Sequence, residues 1–352
     1  MICWKLNKQT TAAAQRKNRE NNAFTRFFLT PTTSSFCCVR WIAKISAILF
    51  FTVHYQVFAE QVSFKKAKEN QKTMFSYQWI DSFSQTQNLT FDLANKQNAK
   101  QVHKRYVPEL AQQYVFIELH KAARLIDPRE ARIEIQRSTQ DINVKVSSRS
   151  PKLLTKWQGS MAKSQERAFD KYLHDHYYTR FYSHLGQEAV KADHLRYINE
   201  NKAPLLPIAQ AIYEKLPPNS ESRIYVNLLL SWVQSIPYNE LEDRMSSNGA
   251  GFLPPLALIR ENIGDCDSKS VLTAGLIRSL LPEIKLVMVY LPQHALLGIS
   301  LPHRSNEQTF NFGGSDYLLM EPTGPALMPL GTVAASSERA INSRLFSYEQ
   351  VP

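Results

Sequence analysis

Between residues 221 and 330 the hydrophobic pattern runs helix, helix, strand, strand, strand, and this order restricts the available folds more than any other feature. Apolar residues recur at helical spacing from Ser222 to Ile236, until Pro237 stops the run. A long polar loop follows, containing Asn248-Gly-Ala-Gly251 and Pro254-Pro255. Loops of this length in compact domains are usually functional or disordered. It leads to Gly264-Asp-Cys-Asp-Ser-Lys-Ser270 and a second helical pattern, carried by Val271, Leu272, Ala274, Ile277 and Leu280-Leu281 and ended by Pro282. Lys285–Leu291 then reads as a buried strand, Pro292-Gln293 as a turn, His294–Leu301 as the next strand and Asp316–Met320 as a third. Strands joined by so short a turn pair antiparallel. The pattern reads as α+β, a helix followed by two hairpin strands and a third strand.

The cysteines draw attention to one position. Three of the four, Cys3, Cys37 and Cys38, precede an apolar run, Ile45–Phe58, that follows Arg40 and Lys44 and ends in Val57-Phe58-Ala59. A basic flank, 14 apolar-rich residues and a small residue at the exit describe a signal peptide over 39–59. Spanning a bilayer takes about 20 apolar residues, and His54 and Gln56 interrupt this run; a retained signal anchor is the alternative. Export then leaves Cys266 as the lone thiol of the remaining chain. An oxidising compartment favours paired cysteines or none, so a lone one calls for a reason. The competing explanation is an inert buried thiol.

The surroundings of Cys266 supply a reason. Gly264-Asp265 offers a turn and an N-cap, which places Cys266 in the first turn of the helix. Unpaired backbone N–H groups there favour a thiolate and can bind an oxyanion. Asp265 and Asp267 act against the thiolate, so a basic partner is required. His294, at a strand start after the turn, is the candidate base. Glu321, at the end of the third strand before Pro322-Thr323, is the candidate acid that orients it, with Asp316 as the alternative. A Cys–His pair with a carboxylate behind the imidazole is triad logic in its thiol form. Taken singly, a core histidine and a strand-end glutamate would be ordinary.

Gly264-Asp-Cys-Asp-Ser-Lys-Ser270, Gln293-His294-Ala295 and Leu319-Met-Glu-Pro-Thr323 together resemble the transglutaminase-like superfamily, whose bacterial members are mostly exported or membrane-linked, many of them thought to be proteases. Ser231-Trp-Val-Gln-Ser-Ile-Pro-Tyr238 is similar to the helix that precedes the nucleophile in that family. The resemblance covers about 225–325. It implies a papain-like core in which the nucleophile helix packs on an antiparallel sheet bearing the histidine and the acid. The family places Asp before Pro-Thr, where this chain has Glu321. The resemblance also suggests an oxyanion donor from the preceding helix, Gln234 or Trp232, against which stands a plain packing role for both.

The rest of the chain divides by composition. Residues 1–38 form an N-terminal extension expected to be unstructured, and the Lys-rich 60–73 reads as a linker. Residues 74–150 read as a small β-rich domain, from alternation in Phe75–Trp79, Leu89–Leu93, Ile133–Gln136 and Ile142–Val146; 114–119 fits a strand or a helix. Residues 151–220 read as a helical segment, 221–330 as the catalytic domain and 331–352 as a tail without a readable motif. Asn88-Leu-Thr90 is a weak glycosylation match.

The net charge of +11 at first suggests nucleic acid, but residues 1–59 alone supply +7 through eight basic residues and one acidic. The remaining +4 shows no basic stripe with interleaved aromatics, so no nucleic-acid partner is expected. No cofactor or metal is expected either: Asn239-Glu-Leu-Glu-Asp-Arg244 lacks calcium-loop spacing, and His174 and His176 point to different sides of a helix. The expected function is an exported, periplasmic or cell-envelope cysteine hydrolase that cleaves peptide or protein amides through Cys266, His294 and Glu321. Its alternatives are a protein-glutamine amine transferase and a catalytically inactive binding module.

Overall fold

The computed structural model describes residues 58–95, 102–138 and 141–352. The N-terminal extension and all but the end of the signal segment lie outside the described residues. The fold is mixed α+β, and its sheets are antiparallel.

Three strands open the described chain: β1 (Glu60–Glu69), β2 (Lys72–Ile80) and β3 (Thr86–Ala94), paired in that order. Alternation decides which face is buried. Phe75, Tyr77 and Trp79 of β2 and Leu89, Phe91 and Leu93 of β3 all point inward, with Phe75 opposite Phe91 and Tyr77 opposite Leu89. Residues 60–73, a linker by composition, are instead β1, the turn after it and the first two residues of β2. Phe64 explains the difference, because its ring lies 4.9 Å from that of Tyr77 while the lysines around it point outward. Lysines on an edge strand also discourage pairing with further chains.

A satellite unit follows. It comprises α1 (Pro108–Arg124), the hairpin β4 (Arg132–Arg137) and β5 (Ile142–Ser147), and α2 (Pro151–Asp175), around Val115, Leu119, Ile142 and Met161. Residues 114–119 lie inside α1, whose buried Ala111, Val115 and Leu119 are spaced four apart as a helix requires. A hairpin, β6 (Tyr178–Tyr182) and β7 (Glu188–Ala192), interrupts the stretch that reads as helical from composition. Helix α3 (His194–Tyr213) then runs through Pro204 and Pro207. An interior proline costs about 3 kcal/mol. Burial of Leu205, Ile208 and Ile212 at 0% exposure offsets this, at about 1.5–3 kcal/mol for each large side chain.

The remaining elements build the site: α4 (Ser222–Ser235), α5 (Pro255–Glu261), α6 (Cys266–Leu280), the strands β8 (Leu286–Leu291), β9 (His294–Ile299), β10 (Thr309–Phe312) and β11 (Ser315–Met320), α7 (Ala335–Asn342) and β12 (Ser347–Gln350). The sheet order is β10-β11-β9-β8-β12. Both faces are covered, which explains the unbroken apolar runs. Met288, Tyr290, Leu297, Leu318 and Met320 join the core around α6, whereas Val287, Val289, Leu296 and Leu319 pack with Ile341 of α7. The front sheet shares the α6 core, since Tyr77 meets Trp232 of α4 edge-on at 5.2 Å and Trp79 Nε1 donates to Ser231 Oγ at 3.0 Å.

Trp79 is therefore the anchor between the front sheet and α4. Trp79→Ala is expected to cost about 3–5 kcal/mol of stability in urea unfolding. A loss below about 1 kcal/mol would contradict a shared core.

Candidate active site

Cys266 begins α6. Asp265 caps the helix by accepting from Ser268 N–H at 2.9 Å, and extended backbone at Asp265 turns the chain into it. Gly264 is needed because a Cβ there would lie 2.6 Å from Leu258 Cδ1 and 3.3 Å from Lys269 Cγ. Its backbone bridges Tyr238 in parallel, with Gly264 N–H donating to Pro237 O at 3.2 Å and Asn239 N–H to Gly264 O at 3.2 Å. The chain leaving α4 thus runs alongside the approach to Cys266.

His294 starts β9 directly after Gln293, whose φ of +64° completes the tight turn from β8. Its Nε2 lies 2.9 Å from Glu321 Oε1. Glu321 follows β11 and is buried, and its second oxygen accepts from Ala334 N–H at 2.9 Å and from Ser337 Oγ at 3.1 Å. Burial acts to raise the Glu321 pKa, but the bonds and charge from His294, with those from Ala334 and Ser337, outweigh it and hold the carboxyl below its ordinary value. With Nε2 engaged, Nδ1 is the ring atom left for a thiol.

Cys266 is 1% exposed, and its sulfur is engaged on two sides. It accepts from the N–H of Ala295, the residue after His294, and its thiol donates to Asp267 Oδ1 at 3.9 Å. Burial pushes the thiol pKa well up; Asp267 and Asp265 push it further and the Ala295 N–H only partly opposes them. The helix start alone therefore does not produce a thiolate in this state. Asp265 and Asp267 are both buried, and burial raises the pKa of each.

Two buried polar side chains hold these parts in register. Lys269, 0% exposed, donates from Nζ to Ile236 O and to Thr323 O, each at 2.5 Å. Burial lowers its pKa to about 7, against the charge of Asp265. Gln234 donates from Nε2 to Glu321 O at 2.9 Å and to Met328 O at 2.8 Å, and its Oε1 accepts from Met328 N–H at 3.3 Å.

The structure thus gathers Cys266, Asp265, Asp267, His294 and Glu321, and gives neither Gln234 nor Trp232 the part of an oxyanion donor. Gln234 spends its amide on the backbone around Glu321. Trp232, 0% exposed, packs edge-on to Tyr77 and Phe91, on the side of the front sheet. Asp316 is exposed, accepts from Asn311 Nδ2 at 2.8 Å and lies 3.5 Å from His303, so it has no part in the cluster.

Three contributors escaped the sequence. Tyr238 is 43% exposed and close enough to Cys266, Asp265 and Glu240 that, after burial, their charges help raise its pKa to about 12. Ala334 and Ser337 come from a tail without a motif. A stop by Pro237 points to a chain reversal near Tyr238; nothing local marks Ser337. Among the described residues no cluster of three histidine, cysteine or acidic side chains has metal-binding geometry.

No protein-family model, curated protein or solved structure matches the chain.

Asp265 gives a pH dependence of known sign. An acid whose folded pKa is raised binds its proton more tightly in the folded state, so its contribution to stability is lost as pH climbs above the ordinary carboxylate range. The urea midpoint is expected to fall between about pH 4 and pH 7. Asp265→Asn, which retains a capping oxygen, should flatten that fall. An unchanged slope would show that Asp265 is ionised in the folded protein.

Proposed function

We propose that this chain is a cysteine hydrolase acting on peptide or protein amides, with Cys266 as nucleophile, His294 as general base and acid, and Glu321 as the group that orients the imidazole. The observation that carries this reading is the 2.9 Å contact between His294 Nε2 and a Glu321 carboxylate fixed at its other oxygen, one residue from the N–H that meets the sulfur. A structural histidine–glutamate pair would not need to stand beside the sole cysteine of the described residues.

Because burial keeps the resting thiol protonated, the base acts during attack rather than by forming a standing ion pair. Cys266 Sγ attacks the amide carbonyl while its proton passes to His294. The imidazolium, held by Glu321, gives that proton to the departing amine. A thioester remains, which water opens to the acid and the free thiol. Backbone N–H groups at the α6 start are the oxyanion donors in this scheme, since Gln234 is occupied.

The arrangement accords with the transglutaminase-like resemblance, and α6 against β9 with a histidine and acid on the sheet accords with its papain-like core. Transfer of the acyl group to an amine uses the same intermediate. A non-catalytic binding module is the second reading, favoured by the burial of the thiol. The basic-flanked apolar segment 39–59 supports export to the periplasm or cell envelope, with membrane attachment if it is retained. No helix among the described residues is long and apolar enough to cross a membrane.

The test is turnover of a denatured-protein substrate, with mass-spectrometric detection of an acyl adduct on Cys266 and a dansylated primary amine offered as competing acceptor. Cys266→Ala and His294→Ala should abolish turnover, and Glu321→Gln should reduce it by about 10³-fold or more. Amine incorporation in place of hydrolysis would identify a transferase. Absence of any adduct in the native protein would favour the binding module.

A further inference from the structure

The residues that enter the described chain first are built into the surroundings of the candidate site. Phe58 forms an antiparallel bridge with Ala326, and Ala59 N–H donates to Pro325 O at 2.5 Å. These partners belong to the tight turn that follows Glu321 and includes Gly324. Two residues on, Gln61 and Asn262 bond to each other through their side-chain amides. Gln61 Nε2 donates to Asn262 Oδ1 at 3.1 Å, and Asn262 Nδ2 donates to Gln61 Oε1 at 2.6 Å. Asn262 closes α5 in the left-handed region, at φ +53°, and leads through Ile263 and Gly264 to the capping Asp265. Further along β1, Lys66 Nζ donates to Arg260 O at 3.0 Å. Phe58–Gln61 is therefore a strap, fixed at one end to the loop after the acid and at the other to the turn that leads to Cys266.

The sequence gives the same residues another meaning. Phe58 ends the apolar run that begins at Ile45, and Val57-Phe58-Ala59 is an exit at which a signal peptidase would cut, after Ala59. Such a cut would divide the strap. Gln61 would stay with the domain, while Phe58 and Ala59 would depart, leaving Pro325 O without its donor and the loop without its strand partner. It would also place a new ammonium group on Glu60, which pairs with Ile80 at the start of β1. Segments removed by proteolysis usually join a domain through exposed, unpaired chain. Here the bond after Ala59 lies between two residues that are both paired.

We propose that the bond after Ala59 stays intact, so that the segment 39–57 remains attached and holds the protein to a lipid bilayer. This rests on the export reading of that segment and is independent of the catalytic one. Trp41 to Phe58 is 18 residues, within the range of about 17–25 that spans a bilayer. Its polar residues lie toward the ends: Lys44 is close to the first, where a long side chain reaches the interface, and His54 and Gln56 are close to the last. Arg40 and Lys44 precede the run, which leaves the positive flank on the cytoplasmic side and the domain on the other. No spacer separates the run from the domain, because Phe58 belongs to both. The loop after Glu321 is thereby held near the lipid surface, where a membrane-bound polypeptide is within reach.

The experiment expresses the full chain, tagged at its C-terminus, in a Gram-negative host and follows the tagged protein through cell fractions. Peptide mapping by mass spectrometry reads whether Phe58-Ala59-Glu60 is continuous. The expected result is an uncut protein that stays in the membrane pellet after an alkaline carbonate wash and is digested by protease added to spheroplasts. A chain that begins at Glu60 in the periplasmic fraction would overturn the proposal and leave export standing. An uncut chain in the cytosol, sheltered from the protease, would overturn it together with the export reading. Hydrogen exchange in the detergent-solubilised protein tests the strap itself. The Ala59 amide is expected to exchange at least about tenfold more slowly than in an open peptide. Exchange at the open-peptide rate would remove the structural ground for retention. None of these readouts depends on turnover, so an unreactive Cys266 would leave the answer unchanged.

Discussion

One buried ammonium holds the site together. Lys269 emerges from the first turn of α6, and its Nζ binds the last carbonyl of the α4 run, Ile236 O, and a carbonyl two residues beyond the acid, Thr323 O. Three segments far apart in sequence therefore converge on one cation. Burying a lysine is costly unless its donors are satisfied, and the lowering of its pKa to about 7 is a measure of that cost. The same cost gives the contact its value as a constraint: if either carbonyl moved away, the buried Nζ would lose one of its two acceptors in a closed core. Gln234 works on the same principle with a neutral group, bonding Glu321 O and Met328 O and so fixing the backbone on either side of the acid-bearing turn.

With the backbone fixed in this way, the side chains need little further adjustment. Glu321 has both oxygens occupied, one by the imidazole and one by the start of α7. An acid held at both ends orients the ring it faces, and a ring whose Nε2 is fixed presents Nδ1 in one direction. Gly324 shows how tightly the turn is drawn: at φ +64° a Cβ would fall 2.2 Å from Gln234 O, so α4 touches the loop after Glu321 through backbone. The start of α7 sets the position of the glutamate side chain, because Ala334 N–H and the Ser337 hydroxyl both donate to its second oxygen.

The parts legible in the sequence are those in which a periodic pattern and a chemical group coincide. Cys266 after Gly264-Asp265, His294 after a two-residue turn and Glu321 at a strand end are each marked locally, and the structure brings them together. The strands around Phe75, Leu89, Ile133 and Ile142 were legible because one face is buried and the other is not. The rest failed for identifiable reasons. In β1 the lysines mask an alternation carried mainly by Phe64. In α3 the two prolines signal a break that tertiary burial overrides. The β6–β7 hairpin lies in a stretch whose composition suits a helix. Ser337 and Glu349 act at long range from a tail, so no local spacing reports them. Gln234 has the right chemistry for an oxyanion donor, and only coordinates reveal that its amide is already engaged.

The state of the thiol follows from the same economy of buried charge. Around Cys266 and its neighbours lie the carboxyls of Asp265, Asp267, Glu321 and Glu349, the imidazoles of His194 and His294 and the ammonium groups of Lys191 and Lys269, most of them removed from water. Full ionisation of such a set would need every charge compensated at short range, whereas each group that stays neutral spares a desolvation penalty. The contacts observed suit the sparing arrangement: His194 Nδ1 lies 3.1 Å from Tyr290 Oη, Asp265 caps a helix, and the thiol donates to Asp267. Only Lys191 with Glu349 and His294 with Glu321 pair an acid with a base at hydrogen-bonding distance. A buried thiol whose ionisation is disfavoured in this way is shielded from oxidation, because the thiolate is the reactive form. In the reaction proposed above the thiol proton passes to His294, whose ring Glu321 already orients.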